Sequence, residues 1–82
     1  MATRKRSVPR FAICVDNADY PASLELHKVY RLVHDADAER EGDLRVIDES
    51  GEDYLYPAPY FVVVDLPQEI ARALTRSFAR GA

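Results

Sequence analysis

Short β-rich runs broken by turn-forming clusters constrain this chain more than any other feature of its sequence. Phe11, Ile13 and Val15 alternate with Ala12 and Cys14 until Asp16-Asn17-Ala18-Asp19 interrupts them. Leu24, Leu26, Tyr30 and Leu32 then share one parity, with Glu25, His27 and Arg31 on the other, which predicts a second strand kinked at His27-Lys28. Leu44 to Asp48 and Tyr54 to Tyr56 flank Glu49-Ser50-Gly51-Glu52 as a hairpin, with Gly51 free to take positive φ. Pro57 and Pro59 end that hairpin, and Tyr60 to Asp65 is aromatic and β-branched enough for a last strand. Between the second and third strands, residues 35–43 carry five acids and only two alanines as apolar content, so the segment predicts a surface loop that buries nothing, with at most one helical turn.

The period changes after Asp65. That residue can cap a helix with Gln68 in the capping-box position, and Pro67 is tolerated in its first turn. Ile70, Leu74 and Phe78, spaced i, i+4 and i+8, give this helix one apolar stripe before Gly81 ends it. Five strands and one terminal helix predict a mainly β domain built on a small, strongly bent sheet or barrel. The expected organisation is a disordered basic arm over residues 1–9, a β-barrel over 10–66, and an amphipathic helix over 67–80 packed on the barrel.

Chain length narrows the functional classes. Eighty-two residues leave room for a single small core and little for a deep substrate cavity. Cys14 is the only cysteine, which removes intrachain disulfides and cysteine-rich zinc sites and makes it a core residue by expectation. His27 and His34 fit neither helix-face ligation nor a zinc finger, and the acids at 48, 49, 52 and 53 lack an EF-hand spacing. No nucleophile elbow, phosphate-cradling glycine loop or H-E-x-x-H sequence is present. The reading is therefore a non-enzyme with no metal or cofactor. The longest apolar run, Tyr60 to Val64, is far short of the ~20 residues of a membrane-spanning helix, and no apolar stretch follows the basic start, so a cytoplasmic location away from membranes is expected.

Charge is distributed unevenly around a net −3. Arg4, Lys5, Arg6 and Arg10 place +4 in the first ten residues, residues 11–66 hold thirteen acids against four cations, and Arg72, Arg76 and Arg80 make the end cationic again. Such basic ends are the candidate phosphate contacts of a nucleic-acid-associated barrel, although the acidic body opposes that role.

Gly51 to Phe61, with Pro57 and Tyr60 in a Pro-x-x-Tyr spacing behind a turn glycine and an aromatic, resembles the last hairpin of SH3 domains. Leu24-x-Leu26 with Lys28-x-Tyr30-x-Leu32 looks like the second SH3 strand. The run from Arg45 to Pro57 is similar to one in a group of small uncharacterised bacterial and phage proteins with an SH3-like barrel. The resemblance covers about residues 11–65 and implies a small SH3-like five-stranded barrel with a short C-terminal α-helix, without bringing an activity with it. SH3 domains line their proline-peptide groove with a tryptophan and a tyrosine-rich first strand. This chain has no tryptophan and carries Cys14 near the latter position, so ordinary polyproline recognition is not expected. The favoured role is a non-catalytic protein-protein interaction module whose ligand surface consists of Tyr20, Tyr56, Pro57 and Tyr60, with the acidic loop as a rim; the alternative is nucleic-acid association. A monomer is favoured, and a dimer through Ile70, Leu74 and Phe78 follows only if that stripe projects outward.

Overall fold

A computed structural model of the protein describes residues 10–81. The strands are β1 (Arg10–Cys14), β2 (Val29–Val33), β3 (Asp43–Ile47), β4 (Asp53–Pro57) and β5 (Phe61–Val64). Between β2 and β3 lies the short helix α1 (Ala36–Arg40), a 3-10 turn (Ala58–Tyr60) links β4 to β5, and α2 (Gln68–Gly81) closes the chain. All strand pairs are antiparallel, in the order β4-β3-β2-β1-β5. Among the described residues β4 and β5 stay at opposite edges without pairing, so the mainly β fold with its C-terminal helix is a five-stranded antiparallel sheet whose edges do not close into the expected barrel.

Register assigns the two faces. Ala12 lies opposite Tyr30, Cys14 opposite Phe61, Leu32 opposite Val46 and Leu44 opposite Tyr56, so these side chains share one face and form the main core. Phe11 pairs with Arg31 and Val64 on the other face. There α2 covers it, with the Phe78 ring stacked 6.2 Å from that of Phe11.

The helix meets the sheet on a stripe rotated from the predicted one. Ile70 is 47% exposed, whereas Ala71 is 2% exposed and Leu74, Thr75 and Phe78 are half-buried. Sequence spacing identified the helix, but a residue as small as Ala71 permits the close approach that a larger side chain would prevent. The helix thus lies on a sheet face and not over a barrel end, and Leu74 and Phe78 are turned inward.

Two further expectations change. Leu24 to Lys28 is not strand: β2 begins at Val29, and His27 adopts a left-handed conformation with φ 68°. The cause is local, since the His27 N–H bonds the Cys14 carbonyl (2.7 Å) and the Cys14 N–H bonds the Lys28 carbonyl (3.0 Å), which turns the chain where the ladder starts. Leu24 consequently enters the core while Leu26 faces solvent. The acidic segment does bury one residue: Asp35 caps α1 by accepting from the Ala38 N–H (3.0 Å), and Ala38 packs inward.

Candidate functional site

The fourteen residues from Val15 to Lys28 between β1 and β2 contain neither helix nor strand, yet they are tied down throughout. The Ala18 N–H bonds Asp16 Oδ1 (3.0 Å), the Ser23 and Leu24 N–H groups bond the Tyr20 carbonyl (3.1 and 3.0 Å), and Asn17 Nδ2 donates to the Leu24 carbonyl (2.9 Å). Ser23 also accepts from the Glu49 N–H (3.0 Å), which holds the segment against the β3-β4 hairpin. Tyr20 is thereby placed beside the tyrosines of β4 and the 3-10 turn. Its ring lies edge-on to Tyr56 (centroids 5.0 Å) and to Tyr60 (6.0 Å).

Of the predicted surface residues, Tyr20 is 40% exposed, Pro57 and Tyr60 are half-buried, and Tyr56 is only 4% exposed. Tyr56 is therefore core, a correction to its expected place on the outer surface. Tyr54, two positions earlier on the same parity, lies beyond the covering segment and is exposed together with Leu55. A shallow groove of about 360 Å³ results, lined by Tyr20, Ser23, Asp48, Ser50, Tyr54, Leu55 and Tyr56.

Four of the five tyrosines donate their hydroxyl to a carboxylate: Tyr56 to Asp48 (2.5 Å), Tyr60 to Asp19 (2.7 Å), Tyr54 to Glu52 (3.1 Å) and Tyr30 to Glu49 (2.5 Å). Among the described residues Tyr20 has no such acceptor, so its hydroxyl is open to an incoming group. Burial, reinforced by the Asp48 hydrogen bond, pushes the Tyr56 hydroxyl up to about 12. At Tyr60 the hydrogen bond to Asp19 is the leading cause, and the value again is about 12. Burial acts to raise the Asp48 carboxyl, but hydrogen bonds from Ser50 and Tyr56 outweigh it and hold the group below the ordinary carboxylate range. These hydroxyls are neutral donors fixed by acids.

Sequence reasoning missed Tyr54, Leu55, Asp19 and Asp48 as parts of this surface. A partial signal existed in Glu52-x-Tyr54, where residues two apart on an extended chain share a face; nothing local linked Asp19 to Tyr60, forty-one positions away.

The cationic candidates are dispersed. Arg10 is held by Glu39 (3.1 Å), Arg72, Arg76 and Arg80 are exposed on α2, and Arg4, Lys5 and Arg6 lie outside the described residues, as does the expected arm over 1–9. Among the described residues no group of three or more His, Cys, Asp or Glu side chains converges as metal ligands, and no helix is long and apolar enough to cross a membrane. Cys14 is fully buried, with its thiol pushed up chiefly by that burial. No family model, curated protein or solved structure matches this chain.

Proposed function

We propose that the protein is a non-catalytic, SH3-like interaction module that binds an extended polypeptide segment across the tyrosine groove. The observation carrying this reading is the Tyr20 ring, exposed, without a hydroxyl partner among the described residues, and braced edge-on by Tyr56 and Tyr60 beside the groove. Rigid aromatic area with a polar tip is the surface composition that protein contacts favour. The SH3-like assignment is supported by the order of elements and by Pro57 and Tyr60 bracketing the 3-10 turn before β5. Asp16, Asp19 and Glu52 rim the rings and favour a segment carrying Lys or Arg. The α1 acids do not serve as that rim: Asp35 binds Arg45 (2.8 Å), Asp37 binds Arg40, and Glu39 binds Arg10.

Those groove acids also disfavour nucleic acid at this face. The deciding experiment is co-purification from the native host with the wild type and a Tyr20→Ala, Tyr54→Ala double variant, both substitutions being at exposed positions. Loss of a protein partner with the variant supports the proposal. Equal recovery, or recovery of nucleic acid alone, overturns it.

A further inference from the structure

Outside the tyrosine groove, one cation on the sheet stands apart from the others. Arg10, Lys28, Arg40 and Arg45 each hold at least one carboxylate, whereas Arg31 holds none among the described residues. Its Nε is shielded from solvent and has no hydrogen-bond partner among the described residues. Because Nε is closed to solvent, a ligand reaches this guanidinium through its terminal nitrogens, which make no hydrogen bond among the described residues. The group is also held in position, because β2 sets Arg31 opposite Phe11 and its guanidinium carbon lies 5.2 Å from the centre of the Phe78 ring.

Arg31 borders a cleft of about 380 Å³ between the sheet and α2, lined also by Lys28, Ile47, Ser77 and Phe78 and by the acids Asp48 and Glu49. The volume falls in the range of roughly 300–1,000 Å³ typical of small-molecule sites. Charge narrows the ligand. Lys28 and Glu49 neutralise each other at 2.7 Å, and Asp48 is engaged by Ser50 and Tyr56, so the two cations and two acids leave no net positive charge for a dianion. A single carboxylate on the fork of Arg31, the one cation of this lining without a carboxylate among the described residues, adds one negative charge to a neutral lining, whereas a phosphate dianion adds two and would also meet both acids. Phe78 and Ile47 supply an apolar wall.

We propose that this cleft binds a small organic monocarboxylate, its carboxylate on the guanidinium of Arg31 and its apolar or aromatic body against Phe78 and Ile47. The site shares only Asp48 with the tyrosine groove, so the loss of peptide binding there leaves this proposal standing.

The test is a nuclear magnetic resonance titration of the full isotope-labelled chain with phenylacetate, phenylacetamide and inorganic phosphate. Phenylacetate should produce saturable shifts at Arg31, Ile47, Gly51, Ser77 and Phe78 and bind at least about tenfold more tightly than the amide, as expected when a charge-assisted hydrogen bond is lost. Arg31→Met should weaken phenylacetate by a similar factor and leave the amide unchanged. Equal binding of acid and amide, phosphate binding as tightly as phenylacetate, or no saturable shift at these residues would overturn the assignment. Should Arg31→Met fail to fold, the ratio of acid to amide on the unsubstituted chain decides.

Discussion

Tyr56 and Tyr60 make the same type of hydrogen bond in different surroundings, and that difference decides what each contributes. Tyr56 donates to Asp48, itself only 6% exposed, so Tyr56→Phe leaves a buried carboxylate short of one donor and should cost about 1.5–3 kcal/mol in chemical denaturation. Tyr60→Phe removes an exposed bond to Asp19 and should leave the denaturation midpoint nearly unchanged. Protonation adds a second signature. Asp48 and Glu49 have folded-state values below their ordinary 3.8 and 4.5, so their stabilisation is complete above those values and is lost as pH falls through the lower folded ones. Denaturation midpoints should drop below about pH 4, less steeply in Asp48→Asn. Tyr56 has the opposite sign: its stabilisation is complete below 10 and is lost as pH rises through about 12, and the tyrosinate absorbance of Tyr56 and Tyr60 should develop only towards that value.

At the scale of elements, the hairpin and the helix test different physics. Gly51 has φ +85°, with open space where a Cβ would stand, so Gly51→Ala meets no steric neighbour and its cost is that of the left-handed backbone alone. A loss of about 1–2 kcal/mol by denaturation is expected. On α2, Ala71→Leu should overpack the contact with the sheet and cost about 1–3 kcal/mol, while Ile70→Ala should lie within about 0.5 kcal/mol of the unsubstituted chain. The reverse ranking would restore the stripe that simple i, i+4 spacing suggests. Helix existence was legible because a 3.6-residue period needs only local pattern. Its azimuth was not, because Ala71 carries no hydrophobic signal and becomes a contact only when the sheet lies against it.

For the whole molecule, the consequence of the open sheet is two edges, unpaired among the described residues and of unequal character. The β4 edge ends in Pro57 and begins at Asp53, both of which discourage further strand pairing, whereas β5 is uncharged and leaves Val62 52% exposed with Val63 beside it. Val62→Lys should therefore lower concentration-dependent light scattering without altering the circular dichroism of the fold. What the sequence determined by itself was local in origin: five β-rich runs, the Gly51 turn and the terminal helix. Alternation, turn chemistry and helical period each depend on residues a few places apart. Closure, burial and partnership depend on which segments meet, and these only the tertiary structure decided. The segment Val15–Lys28 sets Tyr20 against Tyr56 while Tyr54 stays exposed, Asp19 reaches Tyr60 from another part of the chain, and Arg31 finds Phe78 and, among the described residues, no acid. The physical reason is that a side chain's free energy depends on water excluded and partners met in space, and neither quantity is written in the residues adjacent to it along the chain.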